Sequence, residues 1–406
     1  MSKRILIVTQ YIYPETFKSS ELAFELANRG YKVDVLCGIP NYPDGHYFNG
    51  YGIFSKRIEN KNGVTFYRCF QTPRKLLPGF IGMSVNYVTF AICATLWVFF
   101  YFAWKKRYDA IITHEPSPIT QLIPAIFLGK IRKVKVYSWI MDIWPDSVVS
   151  SIGETKWSRI LKKLLNAVTN WTYSGSDKLL ITSKGMAELI NRDADYSHKI
   201  IYYPNWSDDL KKMPTETIPE LPDGYRIMMA GNIADGLGID SLVALLYEMK
   251  DTPEAKFIFV GGGNLQKQME YECKRKGLNN VYFMGKQPYS KMPAFYTKAD
   301  AMLLTLKPTT LPHLGVTVPA RLQGYMAGGK PVLAMIGKGA SDLIKEADCG
   351  YAVPAGEYKA LATYIKNTIL KNRDAFAKKG ENGRMYYEQH FMKEECISNL
   401  EKIMFE

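Results

Sequence analysis

Short apolar runs of strand length alternate with longer helical patterns along the whole chain, and the alternation starts afresh midway. In the first half, strand-like runs cover 4–10, 32–37, 64–70, 109–113, 134–140, 178–182 and 200–203. Helical patterns lie between them, as at 20–28, ended by Gly30, and at 157–171. The second half restarts at 225–230 and continues through 256–260, 280–284, 301–306, 331–335 and 351–353. Alternating strands and helices build parallel sheets covered on both faces. A chain of 406 residues is also too long for one core. The expected fold class is therefore α/β, with two Rossmann-like domains facing each other across a cleft. The domains are expected at 1–206 and 207–385, with Pro204 and the polar stretch 207–222 as linker.

Charge divides the halves. Residues 1–206 carry 26 Lys/Arg against 15 Asp/Glu, whereas residues 207–406 carry 26 against 24. A basic half points to an anionic partner (nucleic acid, phospholipid surface or phosphorylated substrate) or else to a merely solubilising surface. Within that half, residues 76–104 hold no charged side chain, and Lys105-Lys106-Arg107 follow. At ~1.5 Å per residue, the apolar part 87–104 reaches roughly 27 Å, close to a bilayer core. A single crossing there would put the strands before residue 70 and after residue 108 on opposite sides of a membrane, and one sheet cannot form that way. The stretch near 80–104 is therefore expected to lie in the membrane plane, with Trp97, Trp104 and the basic cluster at the interface, or else to pack on the sheet. The six cysteines form no C-x-x-C pair, and the N-terminus reads as a strand rather than a leader. Both features suit unpaired thiols in a cytoplasmic protein.

The turns after the strands narrow the ligand. After the first strand comes Tyr11-Ile12-Tyr13-Pro14-Glu15-Thr16-Phe17, without a glycine to admit a pyrophosphate, so a dinucleotide-binding oxidoreductase is disfavoured. The glycines sit instead in the second half, at Gly231-Asn232 and Gly261-Gly262-Gly263, each just past a strand. Ligands of open α/β sheets bind beyond the carboxyl ends of strands, so these turns suit a phosphate-bearing molecule.

Eight segments in order resemble those of family 4 retaining glycosyltransferases of the GT-B fold, in the branch that builds bacterial surface polysaccharides. They are Gly38-Ile39-Pro40-Asn41-Tyr42-Pro43-Asp44-Gly45, His114-Glu115-Pro116-Ser117-Pro118, Asp142-Ile143-Trp144-Pro145-Asp146-Ser147 and Tyr203-Pro204-Asn205-Trp206 in the first half. The second half supplies Ala230-Gly231-Asn232-Ile233, Val260-Gly261-Gly262-Gly263, Phe283-Met284-Gly285 and the run from Val318 through Arg321 to Pro331. The resemblance implies that the C-terminal domain grips a nucleotide-sugar and the N-terminal domain receives the acceptor. It also implies that the last helix, within 386–406, crosses back to the first domain.

Departure of a nucleoside diphosphate calls for cations, helix N-termini and backbone N–H groups. Arg321 fits, since it opens a helix after Thr317-Val318-Pro319 and its fork can hold two phosphate oxygens; the alternative is an ordinary ion pair with a carboxylate. Gly231, Asn232, Gly262, Gly263 and Asn264 would supply N–H groups. The resemblance places the nucleobase against Gly285, Lys286 and Gln287. His114 is expected just past a strand end, close to the transferred sugar, as in related enzymes. Asp142 either binds the acceptor, orients His114 or caps its own turn. Asn41, Tyr42, His46 and Glu115 are the expected acceptor residues. Asp193-Ala194-Asp195 matches a metal-diphosphate signature but follows a helix in a polar loop, so no metal and no cofactor is expected.

Three departures stand out. The two glutamates usual before the final donor helix are replaced by Val316 and Gly324, leaving Gln323 for the ribose. The usual Arg and Lys are missing from residues 231–238. Thr16-Phe17-Lys18-Ser19 replaces a glycine pair, with Lys18 as a phosphate-side charge. The expectation is a retaining glycosyltransferase that moves a sugar from a nucleotide diphosphate, uridine-based, to a polyprenyl diphosphate-linked saccharide. It would work peripherally at the cytoplasmic face of an anionic inner membrane and would not bind nucleic acid. The rivals are a sugar-nucleotide epimerase of the same fold and a non-catalytic membrane scaffold.

Overall fold

A computed structural model describes residues 2–105, 107–152 and 156–406. The chain divides into two compact units: Met1–Thr182, Met186–Tyr203 and Ile397–Glu406 form the first, and Ser183–Gly185 with Pro204–Cys396 the second.

The first unit is built on an eight-stranded sheet: β1 (Arg4–Val8), β2 (Lys32–Gly38), β3 (Ile58–Lys61), β4 (Val64–Cys69), β5 (Ala110–Glu115), β6 (Val136–Ile140), β7 (Lys178–Ile181) and β8 (Ile200–Tyr202). Their spatial order is β3-β4-β2-β1-β5-β6-β7-β8. All neighbours are parallel except β3, which turns back antiparallel on β4. The central strands are mainly apolar and almost wholly buried because helices cover both faces, as a parallel sheet requires. The order in which successive strands are added reverses between β1 and β5, and ligands of such sheets gather at that switch point, at the carboxyl ends.

The helix Gly79–Trp97, continued by a wider turn through Phe102, is the crossover between β4 and β5. Both strands lie in one sheet. Its inner face carries Gly82, Asn86, Phe90 and Ala94, spaced by four residues, so they form one stripe. Asn86 ties that stripe down: its Oδ1 accepts from Gln10 Nε2 at 2.8 Å and from the Tyr11 hydroxyl at 2.7 Å. Gln10 Nε2 also donates to Gln71 Oε1 at 2.7 Å. A buried amide without these partners would cost about 1–3 kcal/mol, so the network fixes which face of an apolar helix turns inward.

The second unit holds six parallel strands: β9 (Tyr225–Ala230), β10 (Ala255–Val260), β11 (Val281–Gly285), β12 (Ala301–Thr305), β13 (Val332–Ile336) and β14 (Gly350–Pro354). Their order is β11-β10-β9-β12-β13-β14, with the switch point between β9 and β12. Two cores sandwich this sheet, one around Ile227, Leu246 and Phe257, the other around Met228, Tyr325 and Ile258.

One boundary differs from the sequence reading. The stretch 207–222 is no free linker, because Leu210 and Leu221 are buried in the second unit's core and Asp209 pairs with Arg384 at 2.6 Å. The final helix is Lys393–Phe405, and from Ile397 onward it belongs to the first unit. There Phe405 stacks on Tyr31 at 5.7 Å, Glu401 pairs with Arg29 at 2.8 Å, and the Tyr137 hydroxyl donates to the Met404 carbonyl at 2.9 Å.

Candidate functional site

In the second unit, three neighbouring strand ends meet around a cavity of about 460 Å³. Gly231 and Asn232 follow β9, Val260 to Gly263 close β10, and Lys286, Gln287, Tyr289 and Met292 follow β11. The turns are laced by backbone hydrogen bonds of 2.8 Å: Gly231 N–H to the Val260 carbonyl, Gly261 N–H to that of Gly285, and Ile233 N–H to that of Gly262. Glycine is compulsory at the tightest crossing. Gly261 holds φ +145°, and a Cβ there would stand 2.0 Å from the Gly231 carbonyl oxygen.

Arg321 enters from the helix Ala320–Ala327, just after β12, and so arrives at the switch point. Its Nη2 donates to the Asn232 carbonyl. Its Nη1 is buried without a hydrogen-bond partner, and among the described residues the guanidinium pairs with no carboxylate. A second hollow of about 240 Å³, lined by Leu304, Thr305 and Arg321, opens on the other side of Asn232. A cation with unspent donors beside a glycine-rich turn is an arrangement for phosphate oxygens.

The structure thus gathers Gly231, Asn232, Gly262, Gly263, Lys286 and Gln287, with Arg321 beside them. Gln287 Nε2 folds back onto the Met284 carbonyl at 2.7 Å. Gly285 closes β11 and accepts the Gly261 N–H. Asn264 is exposed and off the cavity lining, while Gln323 is buried in its helix with Oε1 unpartnered. Lys18 lies in the first unit and pairs with Glu21 at 2.9 Å. Tyr289 and Met292 line the cavity although nothing in the turn pattern marked them; an aromatic just past Gln287 was the available signal.

In the first unit, the carboxyl ends of β1, β2, β5 and β6 bear the remaining candidates. His114 is not past the strand end but inside β5, opposite Trp139 in register, and only 1% exposed. Its ring lies edge-on to Trp139 at 5.0 Å and to Phe17 at 6.5 Å. Neither ring nitrogen has a hydrogen-bond partner, and burial lowers its pKa from 6.5 to about 3, so the imidazole is neutral. Asp142 does not orient it; Asp142 Oδ1 accepts the Ile143 N–H at 2.9 Å. Glu115, fully buried, is pushed well above the usual carboxylate range by burial and then by the nearby Asp142 charge. Asn41 is buried with its Nδ2 on the Ile39 carbonyl at 3.0 Å, and His46 is exposed. Tyr42 joins Tyr11 and Phe17 in an aromatic cluster with centroids 5.3–5.8 Å apart.

Glu15 was missed by the sequence reading. Its Oε1 accepts the Asn41 and Tyr42 N–H groups, each at 2.7 Å, and its Oε2 the Ile12 N–H at 3.1 Å. One buried carboxylate thereby clamps the loop after β1 to the loop after β2. An acid alone among tyrosines and a proline was the signal. In the Asp193-Ala194-Asp195 match, Asp195 Oδ1 accepts the Ser197 N–H at 2.9 Å.

The description "Glycosyl transferase 4-like domain" matches residues 19–206, and "Glycosyl transferases group 1" matches residues 216–385. The chain is 24% identical over 273 residues to the Probable glycosyltransferase WbjE of Pseudomonas aeruginosa. That match covers 64% of this chain and 66% of WbjE, just under two thirds of that protein. Among solved structures, Anabaena Alr3699/HepE in complex with UDP-glucose is similar with a TM-score of 0.64 at 15% identity, covering 99% of both chains. WaaG, a glycosyltransferase involved in lipopolysaccharide biosynthesis, is similar with a TM-score of 0.65 at 12% identity, covering 99% of this chain and 100% of that one. Two glycosyltransferase domains following one another along the chain, each on its own Rossmann-like sheet, identify this protein as a glycosyltransferase of the GT-B fold.

Proposed function

We propose that this glycosyltransferase moves a sugar from a uridine diphosphate donor to a lipid-linked saccharide, with retention of configuration, at the cytoplasmic face of a membrane. The observation that carries the reading is Arg321, a guanidinium that pairs with no carboxylate among the described residues, beside the Gly231 and Gly261 turns. As the bond to the anomeric carbon breaks, charge builds on the departing diphosphate. Arg321 and the N–H groups of the glycine turns neutralise it, in a site already arranged before substrate arrives. The base would stack in the 460 Å³ cavity near Tyr289, with Lys286 at its edge. UDP-glucose bound to HepE supports the choice of nucleotide.

This reading assigns no covalent nucleophile to the first unit's site. His114 is neutral and enclosed by Phe17 and Trp139, which fits a hydrogen bond to a sugar hydroxyl rather than proton shuttling. The acceptor's proton then passes to the leaving phosphate oxygen on the same face, and configuration is kept. Asn41, Tyr42, Glu115 and Asp142 belong to the acceptor side in this reading.

A lipid-linked acceptor and a membrane location are supported by the outer face of the Gly79–Phe102 segment. Ile81, Ile92, Phe100 and Trp104 are 61%, 55%, 79% and 78% exposed there, and only 33% of the most apolar window is buried. The face is wide. Phe99 meets Phe127 at 5.5 Å, and Phe127 meets Trp171 at 5.4 Å, joining it to the helix Lys156–Gly175 with its exposed Ile160 and Leu164. Exposed Lys130 lies 5.0 Å from the Trp171 ring centroid, and exposed Arg159 and Lys163 neighbour Ile160 and Leu164 in sequence, as an anionic bilayer would favour. WaaG's part in lipopolysaccharide synthesis agrees with a role in surface polysaccharides.

The test is transfer from radiolabelled UDP-sugars to a prenyl diphosphate-linked monosaccharide. One UDP-sugar is expected to label the lipid, with the anomeric configuration of the donor kept in the product by NMR. Release of free sugar alone, or epimerised nucleotide-sugar without acceptor, would overturn the reading.

A further inference from the structure

Arg74 sits at the mouth of the aromatic cluster and is explained by none of the chemistry above. Its guanidinium carbon lies 5.2 Å from the Tyr42 ring centroid and 5.8 Å from that of Tyr11. Its only hydrogen bond among the described residues runs from Nη2 to the Met83 thioether at 3.1 Å, a weak acceptor, and it forms no ion pair. Cation–π contacts hold such a group in place but use none of its in-plane donors. A half-buried guanidinium with its fork unspent is free to take an anion in a bidentate grip.

The position is built rather than incidental. The segment before the aromatic helix is fastened to it twice: Asn86 Nδ2 donates to the Thr72 carbonyl, and the Thr72 N–H donates to Thr89 Oγ1 at 3.1 Å. Gly82 lets the segment lie against the helix, since a Cβ there would stand 2.4 Å from the Arg74 carbonyl oxygen and 2.1 Å from that of Leu77. Arg74 is therefore carried on the same rigid piece as the apolar outer face. Exposed Leu76, Phe80 and Ile81 follow it directly in sequence.

A cation with free donors, an aromatic floor and an exposed apolar surface beginning two residues later suit a molecule with three parts in that order. These are an anionic phosphate, a sugar ring to lie on Tyr42, and a hydrocarbon tail. We infer that Arg74, seated on Tyr42 and Tyr11, binds the phosphate groups that join the acceptor's sugar to its lipid. The inference rests on the lipid-linked acceptor proposed above and names the residue that recognises its head. Phosphate chemistry also belongs to bilayer phospholipids, so the two sources have to be separated.

The experiment compares the full chain with Arg74→Gln and Arg74→Lys variants by equilibrium binding of farnesyl diphosphate and of farnesol, which lacks the phosphates. Flotation on phosphatidylglycerol and phosphatidylcholine vesicles is measured alongside, and the UDP-induced thermal shift checks that each variant is folded. The native chain is expected to prefer farnesyl diphosphate to farnesol at least ten-fold. Arg74→Gln abolishes that preference, Arg74→Lys keeps part of it, and flotation and the UDP shift stay unchanged. A native preference that survives in Arg74→Gln would overturn the assignment of Arg74 alone. Loss of phosphatidylglycerol flotation in parallel with diphosphate binding would assign Arg74 to the bilayer instead. No preference in the native chain would remove the lipid diphosphate acceptor itself, and this inference with it.

Discussion

At the scale of single residues, the loops after β1 and β2 depend on one carboxylate. Glu15 is drawn both ways: burial raises its pKa from 4.5 to about 7, while three backbone N–H groups favour the charged form. A folded pKa above the unfolded one means that the folded chain holds the proton longer. The stability this gives is complete below pH 4.5 and is lost as pH rises through 7. Against Glu15→Gln, which cannot titrate, the native chain should therefore lose relative stability by roughly 2–3 kcal/mol between pH 5 and 8, read from denaturant midpoints. Parallel pH profiles for the two proteins would show that Glu15 is already ionised at pH 5. Residue types were legible in the sequence at this scale, but their settings were not. His114 reads as a crevice histidine, yet only its register opposite Trp139 shows that it is walled in and neutral. Glu15 could not be read as a clamp, because its partners are backbone groups 26 and 27 residues away.

At the scale of elements, the aromatic helix was visible in the sequence as an uncharged stretch, and its role as a crossover followed from the strands on either side. Its orientation was not legible. Apolar residues surround it almost evenly, so no polar stripe marks the outside, and Asn86 reveals the inner face only through Gln10 and Tyr11. In the basic run that follows, Arg107 is exposed and Lys106 lies outside the described residues. Strand β3 was missed although Asn62-Gly63 announces its hairpin, with both residues at positive φ (47° and 77°) as a two-residue turn of that type requires. If the outer face meets lipid, Ile92→Asp with Leu96→Asp should cut flotation on phosphatidylglycerol vesicles at least ten-fold. The thermal midpoint should move by no more than about 2 °C, because both side chains are about half exposed and leave no cavity. Undiminished flotation would assign membrane binding to another surface.

At the scale of the whole molecule, strand–helix alternation was enough to give two parallel sheets, and the glycine turns marked the strand ends around which the second unit's cavity opens. Sequence failed where tertiary contacts decide: residues 207–222 look like a tether but are held by Leu210, Leu221 and the Asp209–Arg384 pair. The family's missing glutamates are also clearer in three dimensions. A Cβ on Gly324 would meet nothing closer than Ser207 Oγ at 3.7 Å, so a side chain there has been given up rather than excluded. Val316 instead offers its carbonyl to Ser183 Oγ at 2.6 Å. On the proposed reading, donor recognition therefore falls to Arg321, Lys286 and the backbone of the glycine turns. The account stands or falls on that site, and the direct measurement is a thermal-shift titration with UDP, GDP, ADP and CMP on the native chain and on Arg321→Ala. The account predicts an upward shift selective for UDP, with binding weakened about 10- to 100-fold in the variant, as expected for losing charge-assisted hydrogen bonds to phosphate. A native chain that responds to none of the four, or a UDP response that Arg321→Ala leaves intact, would contradict it.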